Sequence, residues 1–366
     1  MATTYKTLTN SDKVSTRTLL HEAVPITGTI VSGTYMDSTT ANPVTEKNIK
    51  NYTHGMFQSV YDYPYLSSSA NHIFDVTVGY SSNSSLSGAA SVQNAKKINI
   101  YNQMAQVLVG FDHTGSVREF DRDGDFSTGT KLRECIFVNF ARLLYKDEIK
   151  KESLSLVVAT GSTMPKASKF AAAKMLTISD HKATNNYKVN SPAGEYGILY
   201  TASAAEAGTG VGLVYYQAGI AVLTSSIFDG FREQTPEHPY SFGRVGAKYD
   251  TSSVNTVMSS SYITSSADGF RNRLYNIEFD NTTELNSSIY FCRAHHNDFN
   301  YSSNPTYLTG SKIRVKGNNK ANEPVSYVTS VGLYSANNEL LAVAKVSEPL
   351  KKTPSNELTL RCRLDY

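Results

Sequence analysis

The sequence has 366 residues, enough for two or three cores, because single cores usually stop growing well before that length. Charged residues make up 18%, below the usual quarter, and the net charge of +3 is spread out, with no basic run longer than a pair such as Lys150-Lys151 or Lys351-Lys352; this argues against a nucleic-acid partner. No apolar stretch approaches the roughly 20 residues needed to cross a bilayer, and the first residues lack an apolar signal core, so the sequence predicts no membrane insertion and a protein that stays in the compartment where it is made.

A Thr- and Ser-rich arm opens the chain and leads into the alternating stretch Ile26 to Val31, which has a strand's period of two. Such an arm suits docking on a neighbour. Residues 48–66 place Tyr52, Met56, Phe57, Val60 and Tyr61 at helical spacings before Pro64, which predicts a short helix. His72 to Tyr80 reads as a strand and 81–92, rich in Ser, Asn and Gly, as an exposed loop. From Ala95 to Gly110, Ile98, Tyr101, Ala105, Leu108 and Val109 share one helical face, with Gly110 placed to end the helix. Cys135 to Tyr145, the charged KDEIKKE and the alternating SLSLVV predict a strand, a turn or short helix, and a strand. Residues 1–160 thus read as an N-terminal α+β domain with an extended arm.

Residues 161–270 read as a Gly/Ser-rich β insertion domain around three short runs, Gly197 to Tyr200, Gly212 to Tyr216 and Gly219 to Leu223. Its low-complexity stretch 252–269 suits an edge, a linker or a loop. Residues 271–366 read as a C-terminal β domain. Leu274 to Phe279 and Ser288 to Ala294 are strands joined by the polar turn NTTELN. Tyr327 to Tyr334 and Leu340 to Val346 form a hairpin around Ser335 to Glu339, and Glu357 to Leu364 is a final strand. The expected class is mainly β with a few short helices (α+β), built from antiparallel sheets in β-sandwich-like domains.

Asp121, Asp123 and Asp125 stand at alternate positions, as a calcium loop begins, because a hard cation needs several oxygens converging from one turn. The sixth and twelfth positions of an EF-hand loop would be Gly and Glu; here they are Phe126 and Leu132, so an acidic solvated turn is favoured over a bound cation, and both readings stay open. His295, His296 and Asp298 suggest a metal or acid-base cluster, but adjacent residues on a strand face opposite ways, which favours a structural turn. Gly208, Gly210 and Gly212 resemble a phosphate loop without its Gly-Lys-Ser/Thr ending, and β-like sequence follows. Cys135, Cys292 and Cys362 are too far apart in sequence to read as a disulfide framework or metal knuckle, so reduced, mostly buried thiols are expected. No Gly-x-Ser-x-Gly elbow or grouped carboxylate pair appears. The expectation is no enzyme, no catalytic residue, no cofactor and no assigned metal ligand. The 24 Tyr residues, with no Trp, favour β-sheets and protein interfaces.

Ser326 to Tyr334 followed by Asn337 to Ala344 resembles a hairpin of phage tail and tail-fibre-attachment proteins: an alternating strand ending Gly-Leu-Tyr, an Asn turn, then Leu-x-Ala-Val. HHNDFNYSSNPTY (295–307), the closing KVSEPLKKTPSNELTLRCRLDY and the early VSTRTLLHEAVPITGTI look like segments of virion structural proteins from marine and cyanobacterial phages with contractile tails. The resemblance implies a tail component, in the baseplate or its wedge, assembled in the host cytoplasm and binding other virion proteins and copies of itself. A receptor- or glycan-binding fibre, or a decoration or neck protein, is the alternative.

Overall fold

A computed structural model describes residues 5–26, 48–88, 91–159, 175–201, 210–228, 258, 262–302, 304–319 and 321–366. The first strands are β1 (Lys13–Pro25), β2 (Ile49–Asn51), β3 (Gln58–Tyr61), β4 (His72–Tyr80), β5 (Phe120–Asp121), β6 (Lys131–Leu132), β7 (Glu134–Phe140), β8 (Glu148–Ile149) and β9 (Ser155–Ala159). They are followed by β10 (Met175–Ser179), β11 (Tyr196–Thr201), β12 (Gly210–Tyr215), β13 (Ile220–Thr224), β14 (Leu274–Ala294), β15 (Leu308–Thr309), β16 (Lys312–Ile313), β17 (Ser326–Tyr334), β18 (Leu340–Lys352) and β19 (Leu358–Asp365). The helices are α1 (Val92–Leu108), α2 (Arg142–Tyr145), α3 (Ala183–Asn186) and α4 (Ile263–Arg273). The fold is mainly β, of the α+β class, with antiparallel sheets.

The chain forms two compact units, a larger one over Leu20–Thr283 and a smaller one that joins Met1–Leu19 to Glu284–Tyr366. The sequence suggested boundaries near 160 and 270. β9 and β10, on either side of the first, pair from Ser155↔Ser179 to Ala159↔Met175, and β13 pairs with β7 from Ile220↔Asn139 to Thr224↔Cys135. Residues of both expected domains therefore share one ladder.

In the larger unit the strand order is β14-β9-β10-β11-β12-β13-β7-β4-β3-β2, with β8 also on β14. The central strands are continuous apolar runs, as strands buried on both faces must be. Every residue of β12 is buried, as are both members of the four consecutive β4–β7 pairs from Val76↔Val138 to Gly79↔Cys135. Helix α1 starts where the Ser91 hydroxyl accepts from the Asn94 backbone N–H at 3.2 Å. It ends at Gly110, whose φ of 84° is the left-handed conformation that closes a helix. The helix lies so close to β4 that a Cβ on Gly79 would stand 2.7 Å from the Lys97 carbonyl oxygen.

Three local expectations are corrected. Residues 48–66 form β2 and β3, not a helix: β3 is sandwiched between β2 and β4 through Ile49↔Val60 and Val60↔Phe74, and Gly55 at φ 63° breaks any helical path. The polar NTTELN is no turn but the middle of β14, where Asn281 and Thr282 pair with Ile149 and Glu148 of β8. Part of the low-complexity stretch, from Ile263 onward, is the start of α4; residues 252–257 lie outside the described residues. So do 27–31 of the predicted first strand, while β1 precedes them.

In the smaller unit β14 pairs with β19 from Ser287↔Asp365 to Ala294↔Leu358. On the other side of β14 lies β1, with Ser15 Oγ 3.2 Å from Ser288 Oγ and the Lys13 ammonium 5.8 Å from the Tyr290 ring centre. β17 and β18 form the expected hairpin as a separate two-stranded ribbon.

Candidate interaction surface and acidic loop

The β17–β18 ribbon runs from Ser326↔Lys352 to Tyr334↔Leu340, with irregularities after Val328 and Leu333. Among the described residues no third strand joins it, and its side chains are largely open on both faces: Tyr327 is 51% exposed, Leu341 68% and Val343 55%. Two-stranded ribbons are marginal in water unless something covers a face, and exposed β-edges favour pairing with another chain. On one face Gly332, opposite Val343, leaves room for the Tyr334 ring, and Tyr5 packs edge-on against that ring with centres 4.8 Å apart. β1 is almost wholly exposed as well, Val14, Leu19 and Leu20 included.

The base of the ribbon is fixed. Lys352 is fully buried, and its ammonium donates to Asn300 Oδ1 at 2.6 Å, the Thr353 carbonyl at 2.8 Å and the His296 carbonyl at 3.2 Å. Three acceptors match an ammonium's three donors. Ser326 Oγ donates to the Phe299 carbonyl at 2.5 Å, so both ends of the pair Ser326↔Lys352 hold the 296–300 turn.

In the larger unit the acidic sequence forms the loop between β5 and β6, which pair through Phe120↔Leu132 and Asp121↔Lys131. Carboxylate oxygens of Asp121, Asp123 and Asp125 lie within 4.8 Å of one another. Asp123 and Asp125 are exposed, as a solvated turn requires, but Asp121 is fully buried. Its Oδ2 accepts from Lys131 Nζ at 2.6 Å and from the Phe126 N–H at 2.8 Å; its Oδ1, also buried, has no hydrogen-bond partner among the described residues. Asp125 accepts from the Ser127 and Thr128 N–H groups and the Thr128 hydroxyl, and these bonds hold its carboxyl well below the usual carboxylate range. The loop is tied inward where the Gly124 carbonyl accepts from Asn190 Nδ2 at 2.9 Å and the Tyr196 hydroxyl at 3.3 Å.

No family model matches this chain, and no curated protein or solved structure matches it.

His295 and His296 follow the end of β14, in a turn, so the strand argument that would send them to opposite faces does not apply. Their Nδ1 atoms lie 3.8 Å and 3.4 Å from one oxygen of Glu357, all exposed, while Asp298 is held by Lys6 at 2.5 Å. Gly210 and Gly212 are in β12, and the space at Gly210 is taken by the Arg122 carbonyl, so these glycines serve close packing; Gly208 lies outside the described residues. The cysteines are free, and Cys135 and Cys362 are buried. The register Cys292↔Leu360 and Tyr290↔Cys362 makes Cys292 and Cys362 diagonal neighbours, a proximity that their sequence separation conceals. Burial, and then Cys362, pushes the Cys292 thiol up to about 11, which leaves it protonated and a poor nucleophile at neutral pH.

Sequence reasoning missed two buried ionisable groups in the larger unit. Lys97 donates to the Met258 carbonyl, and burial pushes its ammonium down to about 8. Asp180 accepts from the Tyr216 hydroxyl and from the Glu152 and Leu154 N–H groups, yet burial raises it to about 6. Neither lies in a motif, so only the fold reveals them. Among the described residues no helix is long and apolar enough to cross a membrane.

Proposed function

We propose that this chain is a structural subunit of a tailed-phage virion, placed in the tail baseplate, that works by binding neighbouring virion proteins and copies of itself. The observation that carries the reading is the β17–β18 ribbon, a two-stranded sheet that no third strand joins among the described residues and that bears Tyr327, Leu341 and Val343 in the open. Apolar and Tyr-rich surface of this kind marks interaction sites, and a ribbon with free edges can add to a neighbour's sheet. The same hairpin carries the resemblance to tail proteins noted in the sequence.

Cryo-electron microscopy of purified particles tests the proposal. Density for this chain at the tail tip, with the ribbon covered by a neighbour, is the expected result. Density on a fibre would favour the receptor-binding alternative, and density on the capsid or no density at all would overturn the baseplate assignment.

A further inference from the structure

We infer that the loop between β5 and β6 binds one hard divalent cation of calcium's size through the carboxylates of Asp121, Asp123 and Asp125. Convergence of three carboxylates to within 4.8 Å is not by itself a site, since acidic turns are common. The decisive feature is Asp121. Its side chain is wholly buried, and while Oδ2 is matched by Lys131 and the Phe126 N–H, Oδ1 is shut away from water with no donor among the described residues. A buried carboxylate oxygen in that state calls for a donor or a cation, and a carboxylate oxygen of the same side chain lies within 4.8 Å of oxygens of Asp123 and Asp125.

The charges agree. Three carboxylates against the ammonium of Lys131, which alone among the described residues is ion-paired with them, leave two negative charges, which one dication neutralises. Lys131 does not occupy the proposed position, because it takes Oδ2 and leaves Oδ1 for the ion. Asp123 and Asp125 are exposed and provide the entry path and the remaining solvent-side ligands. The donor set is oxygen only, with neither imidazole nor thiolate, which suits a hard cation and not zinc or copper. Calcium accepts irregular carboxylate-rich shells, whereas magnesium demands a near-ideal octahedron and keeps its waters. Bound there, the ion would tie the exposed loop to the buried end of β5.

The test is made on the full chain, stripped with EDTA and desalted, by isothermal titration with CaCl2 and by thermal unfolding with and without millimolar Ca2+. The expected result is a saturable single-site heat and a rise of about 5 °C in the unfolding midpoint of the larger unit, with a smaller rise in MgCl2. Asp123→Asn and Asp125→Asn, both at exposed positions and both retaining an acceptor oxygen, should fold normally in EDTA and weaken Ca2+ binding about tenfold or more. Asp121→Asn should abolish it. Absence of heat and of a midpoint shift in the unsubstituted chain overturns the inference, as does a shift that survives both exposed substitutions. A magnesium response equal to the calcium response overturns the choice of ion.

Discussion

The hydroxyl of Tyr216 donates to Asp180 Oδ2 at 2.9 Å, with both side chains buried in the larger unit. Burial raises Asp180 to about 6 against an ordinary 3.8, even though the hydrogen bonds it accepts all favour the charged form. The folded chain therefore holds this proton more tightly than the unfolded chain does. Its contribution to stability is full below the unfolded value and is lost as pH rises through about 6. Tyr216→Phe should then cost about 2 kcal/mol near pH 8, where the bond is made to a charge, and about 1 kcal/mol near pH 5, where it is not. Urea unfolding at both pH values measures this; a penalty that is larger in acid would contradict the assignment.

Gly197 depends on the same hydroxyl. A Cβ there would stand 2.0 Å from Tyr216 Oη and 3.0 Å from its ring carbon, and that ring is fully buried and cannot swing away. Gly197→Ala should destabilise the larger unit by about 2 kcal/mol. In a Tyr216→Phe background the same substitution should cost clearly less, because the colliding oxygen is gone. A double-mutant cycle that comes out additive would show that the hydroxyl is not the obstacle.

In the smaller unit, Lys352→Met keeps the length of the side chain but strips the donors from Asn300 Oδ1 and the His296 and Thr353 carbonyls. The expected loss is about 2–3 kcal/mol, with faster amide exchange over 296–300 and at the ribbon's base. Unchanged exchange there would mean that the turn is held by other groups.

Replacing Leu341 and Val343 together with Lys touches residues whose side chains are mostly in water. Stability should change by no more than about 0.5 kcal/mol per site, while incorporation into particles should fail. Normal incorporation, scored by quantitative mass spectrometry of purified virions, would remove the ribbon from the interface.

Strands with a clean period of two were legible: β4, β17, β18 and β19 follow their apolar alternation or runs closely, and α1 follows its helical face. Segment 48–66 was not, because Tyr52, Met56, Phe57 and Val60 fit a helical face as well as they fit a strand, and only the ladder to Phe74 decides between them. The polar centre of β14 reads as a turn until β8, more than a hundred residues earlier, is seen to pair with it. The acidic triplet was legible as a candidate, but carboxylates in sequence read as solvated. Asp121 is buried and bonded to Lys131, and its loop is tied inward at Gly124 by Asn190 and Tyr196, residues that no local pattern connects.

The smaller unit pairs Ser15 with Ser288 and Tyr5 with Tyr334. A ribosome delivers the first of each pair long before the second, so Tyr5 and Ser15 wait for these two partners while the larger unit is being synthesised. The surface proposed for assembly thus takes shape only after the strands of the larger unit have been made.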